Sequence, residues 1–423
     1  MPITMHGDLI FIQYFPYFLS YKGVWDIYSY FGDHYLSQGY TYYPPLVYYV
    51  VAFFQWVFQR ADTLFGAFML HAEPLVYWAR EHNTLTQEYL TPYTSRQIFQ
   101  LVFYMKLPYL LADLGCLWLL GKIYSARKQE AWLCWLWSPV LIFSTYISGQ
   151  YRSLSALVLW GVLFAVYKNK KNAAALLFGV LCLMESYPLY LLLPSLLVLG
   201  DGWKERAKLL ALVLLPLVLL LTPLALSSKG HVFYAYFSPV IAKTVSQGIS
   251  SRYPFLSAVL GKVILAAAFA GMAFVLAAKK QNGTPAGRYR LFVYVNAAML
   301  LVLYAVTTTS VHYFMWVLPF YAAIRLDGPP WKKAWSAALV ACLFLFNLDM
   351  RPLNLGLFMP LGPERFLSYP SLHEWVSGLG FPWAAVVGLS RLAFSALCLC
   401  FAVNIYFWRI RPLLYNADGS YTE

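Results

Sequence analysis

Eleven apolar runs fill most of residues 98–407 and limit the fold more than any other feature of the chain. They lie at 98–121, 131–148, 153–167, 173–187, 188–201, 208–226, 256–278, 291–310, 313–326, 335–350 and 384–407. A helix that crosses the lipid core needs about 20 predominantly apolar residues, which several runs reach only with their polar flanks. Charged residues make up 12% of the chain, against roughly 25% in soluble domains. We therefore predict an all-α polytopic membrane protein with about 11 transmembrane helices.

Lysine and arginine residues fall on every second loop between these runs. The basic loops carry Lys122, Arg127, Lys128, Lys168, Lys170, Lys171, Lys204, Arg206, Lys208, Lys279, Lys280, Arg288, Arg290, Arg325, Lys332, Lys333, Arg409 and Arg411. By the positive-inside rule these loops and the C-terminus are cytoplasmic. The opposite face then carries the loops 227–255 and 349–383 and the turns at 148–152, 185–188 and 307–312. We expect a multi-pass protein of a bacterial inner (plasma) membrane.

Residues 1–97 are rich in Tyr and Phe and carry carboxylates, which are costly to keep in lipid. One arrangement makes the whole stretch extracytoplasmic, with 43–59 as an interfacial or re-entrant helix. In the other, 43–59 spans and leaves Asp8 in the cytoplasm. The charge rule favours the first, because the second places three arginines outside and only one lysine inside. It predicts an extracytoplasmic loop over 1–97 with interfacial helices, a transmembrane helical domain over 98–423, and an anchor helix upstream of residue 1.

A series of short polar and aromatic motifs lies along the chain. They are Asp8, Gly23 to Tyr28, Tyr43-Pro44-Pro45-Leu46, Lys106 to Leu114, Trp137-Ser138-Pro139, Gly149-Gln150-Tyr151-Arg152-Ser153-Leu154, Glu185-Ser186-Tyr187-Pro188 and Val311 to Pro319. Their order resembles that of the GT-C superfamily of integral-membrane glycosyltransferases, especially the bacterial mannosyltransferase-like members that use polyprenyl-phosphate sugars. The resemblance runs from residue 8 to about 325.

This resemblance implies an inverting transferase that moves a sugar, such as mannose, from a polyprenyl-phosphate donor to a lipid-linked or cell-envelope acceptor. Asp8 would be the catalytic base, since partial burial raises the pKa of a carboxylate toward the working pH. Its plainer interpretation is a helix N-cap. The residues expected to bind substrate are Tyr43, Gln150, Arg152, Glu185, Arg252, His312 and Tyr313.

Two residues depart from the motifs of the GT-C superfamily, and both reverse a charge. Arg152 stands where the family usually has Asp after Gly-Gln, and Glu185 stands where it usually has Lys before Tyr-Pro. Both lie at the outer ends of neighbouring predicted spans. We therefore hypothesise that Arg152 and Glu185 form an ion pair of opposite polarity to the usual one.

The donor phosphate needs cationic groups on the outer face. Arg252 and His312 are our candidates, because Arg offers a planar fork for phosphate oxygens and positive groups stabilise a developing anion. The plainer interpretations are an Arg that snorkels to lipid headgroups and a satisfied histidine at a helix end. For the intramembrane pair Lys106 and Asp113 we favour a structural pairing over catalysis.

No cofactor is expected. Some members of the family use a divalent metal, but acidic residues are sparse here. The expected partners are the donor, the acceptor and membrane lipids; the spread of the basic residues does not favour nucleic acid. Two alternatives are a transporter or flippase of lipid-linked intermediates and a non-catalytic subunit of GT-C fold. The lack of a clear internal repeat weakens the first of these.

Overall fold

The computed structural model describes residues 7–35, 43–72, 92–233, 236, 254–278, 284–307, 310–326, 331–347 and 372–415. All regular structure in these residues is helical, which confirms the predicted all-α class. The helices are α1 (Gly7–Ser20), α2 (Ile27–Tyr35), α3 (Pro45–Ala61), α4 (64–72), α5 (Ser95–Ile123), α6 (Lys128–Leu136), α7 (Arg152–Tyr167), α8 (Lys171–Cys182), α9 (Pro188–Leu199), α10 (Trp203–Ser227), α11 (Pro254–Ala278), α12 (Pro285–Val306), α13 (Leu318–Leu326), α14 (Trp331–Asn347), α15 (Leu372–Gly378), α16 (Trp383–Ile405) and α17 (Arg411–Tyr415). Short 3-10, π and single-turn segments are Ser125–Arg127, Pro139–Leu141, Ile142–Ile147, His231–Phe233, Val311–Trp316 and Tyr406–Ile410.

Four helices in the described part of the chain are long and apolar enough to cross a membrane, which indicates a membrane protein. They are Ser95–Ile123, Trp203–Ser227, Pro285–Val306 and Trp383–Leu414. Helices α7, α8 and α9 are apolar but have only 16, 12 and 12 residues. These lengths fall short of the roughly 20 residues of a straight span. The predicted count of about 11 spans therefore stays a prediction.

The apolar run predicted as one helix over 131–148 is interrupted at Pro139. Proline lacks a backbone N–H and forces the residue before it out of the helical region. Ser138 accordingly has an extended ψ of 117°, and its hydroxyl accepts a hydrogen bond from the Leu141 N–H at 3.5 Å. The chain restarts as a single turn and widens into the π-helix Ile142–Ile147. The run is therefore helical in two segments rather than as one unbroken helix.

Helix α1 is anchored against α3 by a buried glutamine. The Gln55 side chain is fully buried and donates from Nε2 to the backbone and side-chain oxygens of Gln13, at 2.8 and 2.9 Å. Its own oxygen accepts from the Ser20 hydroxyl at 2.8 Å. Buried amides are costly unless they are bonded in this way, so the network fixes how α1 lies on α3.

The loops of the helical bundle gather at two ends. At one, which we call the basic end (124–128, 167–171, 200–206 and 284–289), Tyr124 and Tyr289 lie 3.1 Å apart at their hydroxyls, and Arg288 reaches Asn169 at 2.9 Å and Asp201 at 2.8 Å. At the other, the aromatic end (43–46, 148–152, 185–187 and 310–316), the Leu46 N–H donates to Leu183 O at 3.0 Å. Loops that the charge rule assigns to one side thus lie together.

Candidate functional site

The aromatic end is built around a sharp turn that follows the π-helix Ile142–Ile147. The Ser148 N–H donates five residues back to Phe143 O at 2.8 Å, and the Gln150 N–H reaches Ser144 O at 2.9 Å. Gly149 makes the turn with a φ of +72°, and a Cβ there would lie 2.7 Å from Leu9 Cβ. Glycine is needed both for the left-handed backbone and for this close approach to α1.

Arg152, at the start of α7, forms a buried ion pair with Glu185, which confirms the pairing predicted from the reversed charges. Both side chains are 2% exposed. Arg152 Nη1 donates to Glu185 Oε2 and also to the Tyr151 hydroxyl at 3.0 Å. The Ser155 hydroxyl, one turn along α7, lies 3.0 Å from Glu185 Oε1. Such a pair is costly to desolvate and is tolerated only when its remaining polar atoms are well bonded.

Four aromatic rings surround the Arg152 guanidinium. Its Cζ lies 4.7 Å from the ring centroid of Tyr151, 5.0 Å from Tyr313, 5.4 Å from Trp316 and 5.9 Å from Tyr43. Rings at this range attract a cation through their quadrupoles, and more strongly where water is excluded. We call these four residues the aromatic cage.

Two segments of the cage owe their positions to local structure. Tyr313 and Trp316 lie three residues apart on the 3-10 helix Val311–Trp316, whose period of three places them on one face. Trp316 also stacks on Tyr187 with ring centroids 4.7 Å apart. Tyr43 is held through its backbone, because its N–H donates to the Tyr48 hydroxyl at 2.8 Å and its carbonyl accepts from the Tyr28 hydroxyl at 2.5 Å.

The structure thus brings four of the eight predicted site residues into contact: Tyr43, Arg152, Glu185 and Tyr313. Gln150 lies two residues before Arg152, in the turn that leads to α7. His312 adjoins them, with its ring centroid 4.7 Å from that of Tyr313 and its Nε2 2.8 Å from the Ser310 hydroxyl. His312 is only half-buried, so it could still reach a ligand.

The two remaining predicted residues are placed less completely. Asp8 lies within α1, at the start of the part of this helix that the structure describes. Its neighbour Leu9 packs on Gly149, so the backbone of Asp8 is close to the turn that carries Gln150. The side chain of Asp8 lies outside the described residues, and so does the whole of Arg252.

Four residues of the site were not predicted: Tyr151, Ser155, Tyr187 and Trp316. Two of them carried a usable signal, since Ser155 follows Arg152 by one helical turn and Trp316 follows Tyr313 by three residues. Tyr151 and Tyr187 lie inside motifs that were recognised, but nothing in the sequence distinguishes them from the many other tyrosines of the chain.

In the part of the chain that the structure describes, no group of three or more His, Cys, Asp or Glu side chains could hold a metal ion. The expectation that no cofactor is needed remains untested by this. No protein-family model matches the chain, and no curated protein and no solved structure matches it either.

Proposed function

We propose that this chain is a membrane glycosyltransferase of the GT-C type, which moves a sugar from a polyprenyl-phosphate donor to a lipid-linked or cell-envelope acceptor. One observation carries the proposal. Motifs that are far apart in the sequence, at Tyr43, Gly149–Arg152, Glu185 and His312–Trp316, meet around a single guanidinium at one end of the bundle. They are the motifs whose order resembles that family.

The reaction requires a base, a holder for the leaving group and a dry site. In the proposed mechanism, the Asp8 carboxylate takes the proton of an acceptor hydroxyl as its oxygen bonds to the anomeric carbon of the sugar. The bond from that carbon to the phosphate oxygen breaks, and polyprenyl phosphate leaves with the electron pair. Arg252 and His312 stabilise the phosphate. Attack opposite to the leaving group inverts the anomeric centre.

The buried ion pair suits a hydroxyl better than a phosphate. Arg152 is already neutralised by Glu185, so the pair has no net charge to attract an anion. Its Nε is buried and has no hydrogen-bond partner among the described residues. This N–H can donate to a neutral sugar hydroxyl, while the rings of the cage offer flat apolar faces. We therefore assign Arg152 and Glu185 to the sugar and leave the phosphate to the other cations.

Asp8→Asn tests the proposal in protein purified into lipid nanodiscs and supplied with a panel of polyprenyl-phosphate sugars. We expect turnover to fall by about 100-fold or more, the usual worth of a general base, while donor binding is retained. Asp26→Asn is the matched control. Asp26 accepts from the Ser29 N–H at 3.1 Å at the start of α2, and Asn caps a helix about as well as Asp, so this variant should keep the turnover of the wild type.

A transporter or flippase would give the opposite pattern. Such a protein would move the donor between leaflets without forming product, and Asp8→Asn would hardly affect it. Transfer by the wild type that survives Asp8→Asn unchanged would instead reject Asp8 as the base. If no donor on the panel is transferred or moved, a non-catalytic subunit becomes the better account.

A further inference from the structure

A second buried polar cluster lies behind the turn that carries Gln150 and Arg152. Lys106 and Asp113 sit two turns apart on α5, with exposures of 0% and 2%. Both contact Tyr146 in the π-helix. The Lys106 ammonium donates to the Tyr146 backbone carbonyl at 2.6 Å, and the Asp113 carboxylate accepts from the Tyr146 hydroxyl. One residue is thus held by its backbone and by its side chain.

The cluster also reaches the start of α7. Asp113 Oδ1 accepts from the Trp135 indole N–H at 3.3 Å, and the Thr145 and Ser153 hydroxyls lie 3.0 Å apart. Tyr146 precedes Gly149 by three residues, so any movement of the π-helix is passed to the site. Wide π turns are rarer than α turns and are frequently found at functional sites. Here the π-helix is held at Tyr146, just before the turn at 148–150 begins.

We propose that Lys106 and Asp113 are positioning residues that clamp Tyr146 and thereby fix the turn carrying Gln150 and Arg152. The two ionisable groups act through their hydrogen bonds to Tyr146 and not by touching the sugar or the phosphate. An acid and a base buried among apolar helices are costly, and the need for a fixed turn explains why they are kept. The effect of the clamp on turnover rests on the proposed function, whereas its effect on the backbone does not.

Hydrogen–deuterium exchange of the purified protein, resolved at the Ser148 and Gln150 amides, tests the clamp without any substrate. Tyr146→Phe removes the bond to Asp113, and Lys106→Met removes the bond to the carbonyl at nearly constant volume. We expect each to speed exchange of these two amides by about tenfold, as the loss of one ordinary hydrogen bond would. Tyr124→Phe, which breaks a hydroxyl contact at the basic end, should leave both amides unchanged.

Conservative variants separate positioning from a role in charge or proton transfer. Asp113→Asn keeps an acceptor for the Tyr146 hydroxyl, and Lys106→Gln keeps a donor for its carbonyl. Both variants should keep the slow exchange of the wild type. In the transfer assay each should retain at least about half of the wild-type kcat, and any further loss of kcat/KM should come from a higher KM. The proposal is overturned if Tyr146→Phe and Lys106→Met leave the exchange unchanged, or if Asp113→Asn speeds it as much as Tyr146→Phe does. Loss of transfer with unaltered exchange would point to direct chemistry instead.

Discussion

The basic end and the aromatic end both join helices through ion pairs, but they do so in opposite surroundings. At the basic end Lys171 bridges Asp201 and Glu205, at 2.6 and 2.9 Å, and these side chains are 16%, 48% and 36% exposed. At the aromatic end Arg152 and Glu185 are 2% exposed and lie among four rings. Solvated ion pairs contribute little to stability and cost little to desolvate. A buried pair, in contrast, often stabilises the fold no more than apolar side chains in its place would.

The difference indicates what each cluster is for. The ion pairs of the basic end need no explanation beyond solubility and the joining of loops. Apolar side chains of similar volume often stabilise a core as well as a buried ion pair does, so stability alone does not account for the pair at the aromatic end. A functional demand at that end therefore explains the buried charges better than stability does.

The largest effect should follow from breaking the buried pair. Glu185→Leu leaves the Arg152 guanidinium buried without its counter-charge, which costs about 3–5 kcal/mol. Asp201→Asn, the corresponding change at the basic end, should cost less than about 1 kcal/mol. Denaturant titration in detergent micelles, followed by tryptophan fluorescence, measures both. Equal losses in the two variants would show that burial does not distinguish the ion pair of the aromatic end from those of the basic end.

Exchanging the two charges should recover much of that loss. In the double variant Arg152→Glu with Glu185→Arg, opposite charges again face each other, and the Ser155 hydroxyl can still donate to a carboxylate at position 152. The double variant should recover at least about half of the stability that Arg152→Glu and Glu185→Arg each lose, and a double-mutant cycle measures this recovery as a coupling energy. Recovery stays incomplete because a carboxylate gains nothing from the aromatic cage. Additive losses in stability would reject the pair as an interacting unit.

The sequence predicted this comparison unevenly. The alternation of basic loops predicted which loops lie together, and two reversed charges predicted the Arg152–Glu185 pair. Both signals can be read from the charge of individual residues. The cage was only half predicted. Trp316 follows Tyr313 by three residues, a spacing that places both side chains on one face of a helix, but nothing in the sequence shows that this face meets Arg152.

The interruption at Pro139 shows the opposite case, in which a local signal was present and was not used. A proline preceded by serine is a usual point for a helix to end and restart, yet the hydropathy of 131–148 favoured one continuous span. The clamp on Tyr146 could not have been predicted in either way. It depends on α5 and the π-helix packing side by side, which joins residues 40 and 33 positions apart in the sequence.

The aromatic cage offers a smaller and sharper contrast. Trp316→Leu should lower the free energy of unfolding by about 2 kcal/mol, since a cation–π contact is strongest when it is desolvated. At the basic end Lys168 lies 5.3 Å from the Tyr167 ring, and because that pair is exposed, Tyr167→Leu should cost about 0.5–1 kcal/mol. Pairing each variant with Arg152→Met or Lys168→Met removes the packing contribution. A coupling energy no larger at Trp316 than at Tyr167 would contradict the desolvated cage.

The smallest effect concerns the pH dependence of the basic end. Partial burial alone would raise the pKa of Asp201, but the hydrogen bond from Lys171 and the charge of Arg288 outweigh it and hold that pKa below its usual value. A carboxyl whose pKa is lower in the folded state stabilises the protein above its unfolded pKa of about 3.9, and this contribution is lost as the pH falls through the folded value. The free energies of unfolding of the wild type and of Asp201→Asn should therefore differ by a few tenths of a kcal/mol at neutral pH and become equal in acid. Because Asp201 is half exposed, added salt should narrow the difference as well, whereas the loss caused by Glu185→Leu, a change within a buried pair, should respond little to salt.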